Sequence, residues 1–146
     1  MTTEIYMESS IRGPRPKKGV VGFVLQENGT TDPKSTFGFF DKEVTANYSN
    51  MVCLKEALKR INPSTGEVIL HTTSGYINLS LLRQKKNQGF EDFEEAERKK
   101  EIKYAKDWEE IRNYLQGKTI EVKLNEPHEY KHWLQREVQR RAEKYL

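Results

Sequence analysis

Few side chains here have types and spacings suited to chemistry. His128 and His132 stand four residues apart, a spacing that places both on one face of a helix. Two histidines so placed can begin a metal site. Without an HExxH pattern or further ligands, a solvated helix face is the preferred reading. His71 lies in an apolar run and reads as a strand residue beside the core. Cys53 is the single cysteine, which excludes an internal disulfide and any cysteine-rich zinc centre. It reads as a small buried apolar residue. Glu8 closes an alternating stretch, where a polar strand end and a functional carboxylate are both open readings.

The second kind of chemistry is phosphate contact. Arg12, Arg15, Lys17 and Lys18 share one loop with Gly13, Pro14 and Pro16. Arg83, Lys85 and Lys86 form a second group, and Arg98, Lys99 and Lys100 a third. Clustered cations release condensed counterions from a polyanion. The acidic run 91–97 offsets part of that field, so ordinary solvated charge is the competing reading. Phe90, Phe93, Tyr104 and Trp108 read as packing residues rather than a stacking platform.

These residues must be positioned by elements the pattern predicts. Thr3–Glu8 alternates apolar and polar residues, as a strand does. A loop rich in Gly, Pro and basic residues follows, then an apolar strand, Val20–Glu27. Asn28-Gly29 signals a turn, and Thr36–Phe40 pairs back as the second arm of a hairpin. The period then changes. Met51, Leu54, Leu58 and Ile61 recur at three and four, predicting a helix from Thr45 to Ile61 that Asn62-Pro63 ends. Glu67–Thr72 reads as a buried strand. Ser74 is placed to cap a helix through Leu82 with Ile77, Leu81 and Leu82 inward. The charged stretch 83–107 reads as helical in parts. Asp107 is expected to cap a helix that turns Trp108, Ile111 and Leu115 inward and ends at Gly117. Lys118–Leu124 alternates as a strand, and 128–146 predicts a long final helix. Its apolar face runs through Trp133 or Leu134, then Val138, Ala142 and Tyr145. The order is β-β-β-α-β-α-α-β-α, which indicates a five-stranded mixed sheet flanked by helices.

At 146 residues the chain has the length of one domain, 1–146. The net charge of +3 permits nucleic-acid binding without arguing for it. No apolar stretch approaches the roughly 20 residues that span a bilayer, so no membrane partner is expected. The opening residues show no secretory pattern, and with a lone cysteine a cytoplasmic location is the expectation.

That element order and several local motifs resemble the ribonuclease H family. Ile5-Tyr6-Met7-Glu8-Ser9-Ser10, followed by Gly13-Pro14 and Gly19, is similar to the family's first strand and glycine-rich turn. Thr45-Ala46-Asn47 leading to Ala57-Leu58 resembles its first helix. Val68 to Tyr76, reading VILHTTSGY, resembles V-x-I-x-T-D-S-x-Y. Asp107-Trp108-Glu109 and the strand after it resemble the late helix and last strand. The likeness covers nearly the whole chain.

The resemblance implies a ribonuclease H-like α/β fold and, in active members, cleavage of the RNA strand of an RNA–DNA hybrid by two magnesium ions roughly 4 Å apart. It implies four carboxylates. The first falls on Glu8, the second on Asn50, the third on Thr73 and the fourth near His132, with Glu129 the one carboxylate close by. Most of the charge is therefore gone, and no metal cofactor is expected. The implied partner is nucleic acid, an RNA–DNA hybrid or duplex, held by Arg12, Arg15, Lys17 and Lys18 and by Arg83, Lys85 and Lys86. The alternatives are a magnesium- or manganese-dependent nuclease with rearranged ligands, Glu8, Glu129 and His132, and a protein-interaction module that kept only the scaffold.

Overall fold

The computed structural model describes residues 1–28, 32–87 and 104–145, with the side chains of 84–87 outside the description. Five strands form one sheet: β1 (Thr2–Ser9), β2 (Lys17–Glu27), β3 (Lys34–Val44), β4 (Glu67–Thr72) and β5 (Thr119–Leu124). Their order across the sheet is β3-β2-β1-β4-β5. β1, β2 and β3 pair antiparallel, while β4 runs parallel to both β1 and β5. The described helices are α1 (Ala46–Lys59), α2 (Gly75–Asn87), α3 (Ala105–Leu115) and α4 (Lys131–Tyr145). The predicted five-stranded mixed sheet is therefore present, and β1 stands at its centre.

Side chains alternate along β1, and each set finds its own cover. Ile5 and Met7 join Leu54, Ala57, Ile77, Leu81, Trp108 and Ile111 in the main core beneath α1, α2 and α3. Tyr6 points the other way, into a smaller cluster with Val24 and Leu134 under α4. Val20, Val138 and Ala142 extend that second layer. Gly22 is where α4 and β3 close on β2. A Cβ there would come within 2.6 Å of the Phe37 ring and 3.2 Å of Val138 Cγ1, so glycine permits the close approach.

Local chemistry explains most helix boundaries. Thr45 accepts a hydrogen bond from Tyr48 N at 3.1 Å and starts α1. Ser74 does the same for Ile77 N at 3.2 Å and starts α2. Gly117, at φ 78°, follows the end of α3. Asp107 does not cap α3. The helix begins at Ala105 after Tyr104 in a left-handed conformation, and Asp107 instead accepts from Lys55 Nζ at 2.7 Å, tying α3 to α1. α4 begins at Lys131, three residues later than the sequence pattern indicates, because Tyr130 N is taken by the His128 ring. Leu82 is exposed beside the buried Ile77 and Leu81, since one residue turns a helix by about 100°. On α4 the buried line is Leu134, Val138 and Ala142. Trp133 and Tyr145 are exposed and touch the rings of Phe37 and Phe39 at the sheet margin. No described helix is long and apolar enough to cross a membrane.

Candidate functional site

The ends of β1 and β4 lie side by side, because the two strands pair in parallel from Thr2↔Glu67 to Tyr6↔His71. Glu8 on one and Thr73 just past the other are thereby brought together. Thr73 Oγ1 donates to Glu8 Oε1 at 2.8 Å. Glu8 is 3% exposed, and among the described residues Arg12 pairs with it, with Nη2 at 3.7 Å from the same oxygen. α1 crosses this end of the sheet. Its first turn is anchored by Ser49 Oγ, which lies 2.8 Å from Ser9 Oγ. Asn50 faces the same space, with its amide nitrogen spent on Ala46 O at 2.9 Å.

These residues line a cleft of about 400 Å³. Glu8, Asn50 and Thr73, three of the four positions implied by the family resemblance, meet there, together with Arg12. α4 contributes Lys131 and Gln135 rather than His132. The reason is the helix phase. With Leu134 and Val138 inward, Lys131 and Gln135 flank the cleft, and His132 turns into an adjoining groove that shares Arg12. Glu129 is exposed and does not line the cleft. Lys131 Nζ lies 3.4 Å from Asn125 O, at the end of β5. Of the basic residues, Arg15 is exposed beside Arg12 on the loop, Lys17 and Lys18 are exposed not on that loop, as the sequence suggests, but at the start of β2, which opens earlier than its apolar run, and Arg83 is exposed on α2. The side chains of Lys85 and Lys86, and residues 98–100, lie outside the described residues.

Lys131 was not legible as a site residue. The signal was present in the ambiguity between Trp133 and Leu134 as the inward residue. Choosing Leu134 fixes the phase and brings Lys131 and Gln135 to the cleft.

The donor set can be weighed against the metal pair that the resemblance implies. Magnesium needs negative oxygens to offset its dehydration. Among the described residues the cleft has one carboxylate, Glu8, already accepting from Thr73 and facing Arg12, and Lys131 lines the cleft as well. These residues do not fit a pair of magnesium ions. Among the described residues, no three His, Cys, Asp or Glu side chains cluster so as to hold any metal.

Below the cleft, at the start of α4, sits a ring cluster. Tyr6 stacks on His71 at 4.3 Å, and His128 packs 4.8 Å from Tyr6 and 5.1 Å from His71. Glu4 Oε1 lies 3.0 Å from His71 Nε2. Burial, with His71 and Lys131 nearby, lowers the His128 pKa to about 4. Burial and Glu4 raise that of the Tyr6 hydroxyl. Cys53 is fully buried, and burial, aided by Glu8, pushes its thiol far above the ordinary range, so it is inert as a nucleophile.

Likeness to solved structures decides the fold. This is the ribonuclease H fold. Ribonuclease H1 from the halophilic archaeon Halobacterium salinarum superposes with a TM-score of 0.62 at 14% identity, covering 100% of both chains. An N-terminal RNase H domain from Mycobacterium tuberculosis gives 0.64 at 12% identity, over 99% of this chain and 97% of that one. A foamy viral protease-reverse transcriptase, in complex with an RNA/DNA hybrid, gives 0.58 at 17% identity, over 98% of this chain and 19% of the viral one. No family model matches the sequence, and no curated protein matches it. The ribonuclease H resemblance read from the sequence therefore agrees with the fold, at sequence identities too low to transfer an activity.

Proposed function

We propose that this domain binds nucleic acid through the cleft around Glu8 and does not cut it. The observation that carries this reading is the charge of the cleft. Arg12 and Lys131 line it together with a single carboxylate, so it suits a phosphate group better than a cation. In this reading Lys131 supplies a point charge and Arg12 a planar fork for phosphate oxygens. Thr73, Asn50 and Gln135 add uncharged hydrogen-bonding groups. Arg15 on the loop and Lys17 and Lys18 at the start of β2 extend the contact, and Arg83, Lys85 and Lys86 are the second group to examine. An RNA–DNA hybrid or duplex is the first ligand to try, since a foamy viral enzyme of this fold is seen with a hybrid.

The test is salt dependence. Each phosphate contact on B-form duplex contributes about −0.9 to the slope of log K against log salt. Replacing Arg12 and Lys131 by Gln together is expected to flatten the slope by about 1.8. Undiminished slope in the double variant would place the phosphates elsewhere. Absence of binding at low salt would favour a protein-interaction module on the same scaffold.

A further inference from the structure

The outward face of α4 forms a second surface of distinctive charge. Burial of Leu134, Val138 and Ala142 turns His132, Arg136 and Arg140 to solvent, where all three are exposed. An open groove of about 740 Å³ runs along them, lined also by Arg12. Three guanidinium groups line it against one carboxylate, Glu143, which accepts from Gln139 Nε2 at 3.4 Å. Arg140 is steadied by Glu137, at 2.8 and 3.1 Å. Among the described residues no carboxylate pairs with Arg136. Arg12 and Gln135 line both this groove and the cleft, so the two join.

We infer that this groove carries a single nucleic-acid strand onward from the cleft, with its phosphates against Arg12, Arg136 and Arg140. The inference rests on the nucleic-acid reading of the cleft and adds the path and strandedness of the ligand. Arg136 and Arg140 are four residues apart, or about 6 Å along the helix, a step commensurate with neighbouring phosphates of one strand. Arg136 and Arg140 form a single row along α4, and Arg12 lies where the groove meets the cleft. Beside that row Trp133 is 38% exposed, its ring edge-on to Phe37 at 6.0 Å. A partly open indole next to cations accepts the face of an unpaired base, which a duplex does not present.

The experiment compares a blunt RNA–DNA hybrid with the same hybrid carrying a single-stranded extension of about 8 nucleotides, at either end. The extension is expected to tighten binding to the parent protein and to quench Trp133, while Trp108, 2% exposed, stays unchanged. In the Arg136→Gln, Arg140→Gln double variant, blunt hybrid should bind as to the parent and the gain from the extension should vanish. The salt slope for the extended ligand should fall by about 1.4, from two single-strand contacts at about 0.7 each. An extension that adds nothing, or a gain that survives in the double variant, overturns the groove as a strand path while leaving the cleft reading intact. Failure of the parent to bind even blunt hybrid at low salt overturns the cleft reading, and this inference with it.

Discussion

Acid should loosen the start of α4 before it unfolds the rest of the domain, and His128 is the residue that makes it so. Its pKa of about 4 lies below the ordinary histidine value near 6.5. The native state therefore holds His128 neutral at pH values where the unfolded chain protonates it. Stability contributed this way is present at pH 7 and falls as the pH drops from about 6.5 to about 4, because the unfolded state binds the extra proton. The full difference of about 2.5 pH units would correspond to about 3.4 kcal/mol at about 1.36 per unit. The ring is only partly covered and water screens it, so about 1–2 kcal/mol is the expected loss. Glu4 faces the cluster from β1 and opposes the loss, while His71 from β4 and Lys131 and His132 from α4 add to it. Urea unfolding of the parent and of His128→Gln at pH 7.5 and 4.5 isolates the term. The parent should lose about 1–2 kcal/mol more than the variant over that interval. Equal losses would refute the burial argument, and a larger loss in the variant would reverse its sign.

Three further outcomes follow from the packing and the cleft. Leu134→Ala should cost about 2–5 kcal/mol by denaturant unfolding, because Leu134 is fully buried between α4 and the sheet. Gly22→Ala should cost about 1–3 kcal/mol, since its added Cβ meets the Phe37 ring and Val138. Glu8→Gln should tighten nucleic-acid binding several-fold, because it removes the cleft's one carboxylate and frees Arg12 from its neighbour. Fluorescence anisotropy at fixed salt reads that change, and weaker binding would mean that Glu8 positions the ligand.

The sheet was legible because its signals are local. β4 keeps its predicted bounds, Glu67–Thr72, since it is a short apolar run between a Pro-Ser-Thr-Gly turn and Ser74. β3 extends from Lys34 to Val44, beyond the predicted Thr36–Phe40. Apart from Val44, its added residues are polar edge positions, which pattern alone does not mark as strand. The cleft was legible in part for the same reason. Glu8 and Thr73 sit at ends of strands whose text carries the resemblance, and parallel pairing of β1 with β4 brings them together. The contribution of α4 depended on a rotation of about 100°, which period alone leaves open between adjacent apolar residues. The N-terminus of α3 was missed because Asp107 has a long-range partner, Lys55, 52 residues away, and a sequence window cannot see it.

The most direct measurement incubates a labelled RNA–DNA hybrid with the parent protein, either in excess chelator or with millimolar magnesium or manganese, reading binding and strand length together. A domain that holds phosphates through Arg12 and Lys131 without metal should bind the hybrid in chelator. Added divalent ion should weaken that binding only as ionic competition does, and the RNA strand should stay whole. Cleavage that requires the divalent ion and disappears in Glu8→Gln would contradict this, and would mean that Glu8 serves a metal-dependent nuclease.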